Sequence, residues 1–163
     1  MTAQATEKLI YKDQKLNLCS NPLTRYLETI RNNLKFVAHS SSNWRGYIGT
    51  WRIEDHRLYL SKLNGTVQEA HNEREIDLTY LFPDYPDGVF AHLYTGELRC
   101  VQGRLINYSH GGYGSIYETD LFLRVERGVV LDERIVLNGK APADARQGYV
   151  LGASTTFGSE DRS

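Results

Sequence analysis

The chain has little of several features that usually announce a function. Its 163 residues hold only two cysteines, Cys19 and Cys100, far apart and in no metal-ligand pair. That excludes a disulfide-rich scaffold and a cysteine zinc site. The two read as small core hydrophobes in a reducing compartment, and only geometry decides whether they can join. The five histidines, His39, His56, His71, His92 and His110, are dispersed without an H-x-x-x-H spacing, so no metal is expected. Charge of one sign is lacking too. Lys and Arg number 19 against 20 Asp and Glu, which gives no long-range pull toward nucleic acid or anionic lipid. No apolar run approaches the ~18 residues of a membrane span, and "MTAQATEKLI" lacks the apolar stretch of a secretory leader. The expectation is a cytoplasmic protein without cofactor.

What is present is hydrophobic alternation. "LIYKDQKLNL" holds two short runs around Asp13-Gln14 with Leu16 and Leu18 in period two, a hairpin. One helix signal follows in "SNPLTRYLETIRNNL". Asn21 is placed to cap and Pro22 to start it, and Leu23, Tyr26, Leu27, Ile30 and Leu34 form one apolar stripe. Beyond it the period is two. In "GYIGTWRIE" Trp51 and Ile53 share a face. A tight turn at Asp55-His56 sets Trp51 opposite Leu60 and Ile53 opposite Leu58, with Arg52 beside Tyr59 outside.

Further strands are read in "GVFAHLYT", "ELRCV", "RLINY", "TDLFLRVE" and "VVLDERIVL", with turns at Thr95-Gly96, Gln102-Gly103 and Arg127-Gly128. The fold class is mainly β, α+β by formal definition: an antiparallel meander, sandwich or open barrel with one N-terminal amphipathic helix packed on the sheet. "NGTVQEAHNERE" (64–75) is polar and reads as a loop or a short exposed helix. A single domain over 1–137 is followed by a tail, 138–163, of small and polar residues, flexible or held by a partner.

Two stretches concentrate candidate functional residues. "YSHGGYGSIYE" (108–118) brings Tyr108, His110, Tyr113, Ser115, Tyr117 and Glu118 around Gly111, Gly112 and Gly114. Its spacing fits neither a dinucleotide fingerprint nor a P-loop. What remains is a glycine-rich turn whose N–H groups can form an anion nest and whose His110 and Glu118 have the chemistry of an acid–base pair. No nucleophile motif accompanies them.

The second stretch, "SSSNWRGYIGTW", carries Trp44 and Arg45. With Arg52 and Tyr59 these have the composition of a binding hot spot. His110-Gly111, Ser154 to Thr156 and Ser159 to Asp161 are loosely similar to the motif order of ADP-ribosyltransferases. The acidic pair, however, stands at the extreme end rather than on a core strand.

The resulting expectation is a small binding module that recognises a protein partner or a small polar ligand, of which an immunity- or antitoxin-like inhibitor is one form. Trp44, Arg45, Arg52, Tyr59, Tyr108, Gly111, Gly112, Tyr113, Gly114 and Tyr117 form its contact surface. The alternative is a small hydrolase or transferase using His110 and Glu118. Neither nucleic acid nor membrane is expected as a partner.

Overall fold

Nine strands account for most of the described chain: β1 Glu7–Tyr11, β2 Gln14–Leu18, β3 Tyr47–Glu54, β4 Arg57–Glu69, β5 Asn72–Asp77, β6 Val89–Phe90, β7 Gly96–Asn107, β8 Ile116–Glu126 and β9 Val129–Leu137. The computed structural model describes residues 4–24, 27, 35–109 and 111–140. Hydrogen-bonded neighbours run from β3 through β1, β2, β7, β8 and β9 to β4, and β4 pairs again with β3. The sheet therefore closes into a ring. Its narrowest seam is β4 to β9, where Arg57 pairs with Val129 and two backbone bonds, Leu58 N–H to Gly128 O (2.8 Å) and Val130 N–H to His56 O (2.7 Å), hold the strands together.

Local sequence explains most hairpins. At Lys12-Asp13, Asp55-His56 and Arg127-Gly128 both central residues have positive φ. That is the two-residue turn whose twist matches the flanking strands. The β3–β4 register is the one the alternation implies: Trp51 opposite Leu60, Ile53 opposite Leu58, and Arg52 opposite Tyr59 with its guanidinium 4.7 Å from the ring centre. Trp51, Leu58 and Leu60 are buried in one core with Leu9, Leu98 and Leu123. A bulge at Thr50/Trp51 then shifts the inward phase of β4 to Leu63 and Val67.

Several expectations need correction. The sheet is mixed rather than antiparallel, because β1 runs parallel to β3, with Leu9 opposite Trp51. Gly103 is not a turn: β7 is continuous from Gly96 to Asn107, and Gly103 (φ +88°) sits at a bulge opposite β8. A left-handed glycine serves either feature, so composition alone does not separate them. In "GVFAHLYT" only Val89 and Phe90 are strand. The chain then turns, so that Tyr94 is buried and Leu93 exposed.

Residues 64–75 are neither loop nor helix. β4 continues to Glu69 and turns into β5, a hairpin whose inward residues are Val67 and Ile76. The N-terminal amphipathic helix is not shown: residues 22–24 form one helical turn, Leu23 is buried and Leu27 packs on the core, while 25–26 and 28–34, Ile30 included, lie outside the described residues. The first three residues of the expected tail are described, and Asn138 anchors the end of β9 through Nδ2–H to Tyr117 O (2.9 Å) and Asp120 Oδ2 (3.0 Å). Residues 141–163 lie outside the described set.

Candidate functional site

The parallel β1–β3 pair creates an uncommon interior. Glu7 shares its face of β1 with Leu9 and is fully buried. Gly49 on β3 leaves room for it, since a Cβ there would stand 3.2 Å from Glu7 Oε1. The carboxylate accepts from Trp51 Nε1–H (2.8 Å) and Gly49 N–H (3.2 Å), and Arg45 Nε lies 3.5 Å away. Burial outweighs these partners and pushes the Glu7 carboxyl up to about 7, with Arg45, Trp51 and Gly49 pulling the other way.

Arg45 is thus an interior side chain. It donates to Tyr113 Oη (2.8 Å) and Ala5 O (3.2 Å) and packs over Tyr47. Tyr113 in turn donates to Asn21 Oδ1 (2.6 Å), and burial raises its hydroxyl well above the usual phenol range. Nearby, Lys8 Nζ donates to Asn17 Oδ1 (2.7 Å), and burial pulls its ammonium down to about 8.

Residues 4–5 stitch the two sequence-predicted stretches together. Gln4 N–H donates to Gly112 O (2.9 Å), Gln4 Nε2–H to Ser41 O (2.8 Å), and Trp44 N–H to Gln4 Oε1 (2.8 Å). Arg45 and Tyr113 therefore meet, as do the loops that carry them. Trp44 is exposed beside them. Arg52 and Tyr59 are elsewhere: Arg52 alternates outward on β3 and bonds Asp87 O and Glu54. The hot-spot four do not form one patch, because Arg45 turns inward and Arg52 outward.

The glycine loop is largely occupied with itself. Ser109 N–H donates to Ser115 Oγ (2.8 Å), Gly111 N–H to Ser109 Oγ (3.2 Å) and Gly114 N–H to Gly111 O (3.0 Å). Arg99 clamps its far side through Tyr113 O (2.8 Å) and Ser115 O (3.1 Å), with its Nε–H on Asp120 (2.9 Å). Tyr108 is exposed, and Tyr117 is buried with Cys19 and Val101. Glu118 lies on β8, beyond the loop. It is buried, and its Oε1 accepts from Arg104 N–H (3.1 Å) at the Gly103 bulge. His110 falls outside the described residues, so the geometry of the proposed pair does too. Cys19 and Cys100 are free thiols, both buried, and burial raises both. Among the described residues no group of three or more His, Cys, Asp or Glu is placed to hold a metal.

The concave surface lies on the other side of residues 40–46. A cleft of about 350 Å³ runs between this segment and the β4–β5 hairpin, lined by His39, Ser40, Asn43, Asn64, Thr66 and Glu75, with Val37, Ile48 and Ile76 beneath. A second cleft of about 580 Å³ continues it along β5, sharing Asn64, Glu75 and Ile76 and adding Arg74, Asp77, Thr79 and Tyr80. Two backbone pairings hold the wall to β4: Val37 N–H to Thr66 O (2.9 Å) and Thr66 N–H to Gly46 O (3.2 Å). Gly46 has φ +82°, and a Cβ there would sit 2.8 Å from Phe36 Cβ and Val37 O, so the segment folds tightly on itself.

Within this wall Asn43 Oδ1 is buried and accepts no hydrogen bond from the described residues. His39 at the rim pairs with Glu73 (3.1 Å). Ser40, Asn43 and Ile48 fall within the stretch "SSSNWRGYIGTW" and Asn64, Thr66 and Glu75 within the polar segment 64–75, but none of them is among the candidate site residues read from the sequence. The cleft depends on β4 continuing past Gly65, which polar composition hid. Neither a protein-family model, nor a curated protein, nor a solved structure matches the chain.

Proposed function

We propose that the chain is a binding module whose ligand is a small polar molecule, held in the cleft between residues 37–46 and the β4–β5 hairpin. The observation that carries this reading is the cleft of about 350 Å³ itself, whose lining combines the polar side chains of Asn43, Asn64, Thr66 and Glu75 with the apolar Val37, Ile48 and Ile76. Asn43 Oδ1 accepts no hydrogen bond from the described residues, a state that costs about 1–3 kcal/mol for a buried acceptor. Asn64, Thr66 and Glu75 supply further donors and acceptors around it, and Ile48 and Ile76 give an apolar floor. Few polar groups over an apolar base is the usual make-up of a small-molecule site.

The rigid part is the interior behind it. Arg45 roots the wall in Glu7, Ala5 and Tyr113, so the cleft is preorganised by buried polar bonds. This reading places recognition, not catalysis, at the cleft.

The test uses stability and binding together. A panel of amino acids, monosaccharides and nucleosides is screened at millimolar concentration by thermal shift, and hits are titrated calorimetrically. Asn43→Ala removes an acceptor that no described residue pairs, so its melting temperature should equal or exceed that of the wild type. Its affinity for the hit should fall at least tenfold. A hit whose affinity is unchanged in both Asn43→Ala and Asn64→Ala would place binding elsewhere.

A further inference from the structure

The least accounted-for surface is the outer edge of β9. Beyond Val129 and Val130 no described strand pairs with that edge, so a row of backbone donors and acceptors from Leu131 to Leu137 faces outward. Leu131 is 47% exposed, Ile135 57% and Leu137 79%. An exposed edge with apolar side chains is what monomeric β-proteins ordinarily blunt with lysine, proline or a covering segment.

The sequence of the edge supplies its partner. Read outward from Glu133, "LDERI" is symmetric in chemistry, with Asp132 and Arg134 on one pair of positions and Leu131 and Ile135 on the next. Two copies laid antiparallel about Glu133 set Leu131 against the partner's Ile135, and Asp132 against the partner's Arg134. Apolar meets apolar, and each acid meets a base, on both sides of the two-fold axis. Such a self-complementary patch is the requirement for an isologous dimer.

The faces of Asp132 to Ile135 agree as well, with Leu131 at the irregularity between Asp132 and Val130. Glu133 and Ile135 lie opposite Leu123 and Leu121 of β8 and so share the sheet's inner face, while Asp132 and Arg134 lie opposite Arg124 and Phe122 and share the outer one. Like charges meet only at the axis, Glu133 against the partner's Glu133. Each is already held within its own chain, by the Tyr11 hydroxyl and by Lys12 Nζ (3.4 Å), so the axis does not bring together two bare carboxylates.

We propose that β9 is a dimerisation strand that pairs antiparallel with β9 of a second copy, centred on Glu133. The interaction joins two closed sheets edge to edge and leaves the cleft of each copy facing solvent. The outer-face ion pairs within each chain, Asp132 with Arg124 and Arg134 with Glu97, are exposed. They contribute little to folding, so their residues can be exchanged without loss of the fold.

Sedimentation velocity from micromolar to millimolar concentration reads the outcome. The wild type should shift from one to two chain masses across that range. Arg134→Asp sets acid against acid and should stay at one chain mass. The charge swap Asp132→Arg with Arg134→Asp restores the pairing and should return to two. A structural role alone would make the double variant worse than the single one.

An independent arm keeps the wild-type charges: Glu133→Cys places two thiols across the axis, where opposed Cα atoms are about 4.5–5.5 Å apart, within disulfide range. Mild oxidation should give a covalent dimer, whereas Arg134→Cys should not. A wild type that stays at one chain mass at every concentration overturns the proposal. If its β9 amides are nonetheless protected from hydrogen exchange, the occupant of the edge is another segment of the same chain. A double variant that remains monomeric, or no cross-link from Glu133→Cys, overturns it equally.

Discussion

Replacing Glu7 by glutamine should change not only stability but its dependence on pH, in a direction opposite to that of an ordinary salt-bridged carboxylate. Glu7 is fully buried. Moving a carboxylate into such a site costs several kcal/mol. Against that stand two N–H donors, from Trp51 and Gly49, and a guanidinium approached only through Arg45 Nε at 3.5 Å. The Arg45 fork is turned to Tyr113 and Ala5 instead of pairing bidentately. Burial therefore wins, and the carboxyl is raised from 4.5 to about 7.

Between those two values the folded chain keeps the Glu7 proton while the unfolded chain has lost it. The folded state then binds more protons, so unfolding free energy falls as pH rises through the window. The slope is limited to about 1.4 kcal/mol per pH unit, which over the window amounts to about 3 kcal/mol. Below pH 4.5 and above pH 7 this contribution is flat. Urea unfolding of wild type and Glu7→Gln at pH 4 to 8 isolates it, because the other groups titrate in both proteins. The wild type should lose stability relative to Glu7→Gln between pH 4.5 and 7. A relative gain across that range would mean that Arg45 dominates burial, and the reasoning would fail.

Two further substitutions test the fold. Trp51→Ala removes a core ring and the indole donor to Glu7, and should lower unfolding free energy by about 3–5 kcal/mol in urea titrations; a wild-type-like midpoint would contradict the inward register of β3. Gly103→Ala forces a side chain onto a residue at φ +88° with its Cβ 2.7 Å from Glu118 Oε1. It should cost about 1–3 kcal/mol, part of which Glu118→Ala should recover; no recovery would show that backbone strain alone sets the cost.

Where sequence alone sufficed, the reason is local. The β3–β4 hairpin has a two-residue turn and uninterrupted period-two alternation, so its register follows, down to Arg52 over Tyr59. The parallel β1–β3 pair joins residues some 40 positions apart (Leu9 and Trp51), and nothing in either segment encodes the other. Glu7 illustrates the limit: it shares the phase of Leu9, a signal of inward orientation, yet an acidic residue near the start of a chain is ordinarily read as solvated. Arg45 has, with Trp44, the composition of a surface hot spot, and its burial depends on Glu7 and Tyr113 being brought to it. The β4–β5 hairpin was hidden because only Val67 and Ile76 face inward, too few apolar residues to show a period.

The cleft is the centre of the proposed function. Amide chemical-shift mapping of the full chain, titrated with the highest-affinity polar hit of the screen, tests it most directly. The predicted result is a contiguous set of shifts at Asn43, Asn64, Gly65, Thr66, Glu75 and Ile76, together with the Asn43 side-chain amide, and loss of those shifts in Asn43→Ala. Shifts confined to the loop around Gly112, to Arg52 and Tyr59, or to β9, with the cleft amides unmoved at saturation, would contradict it.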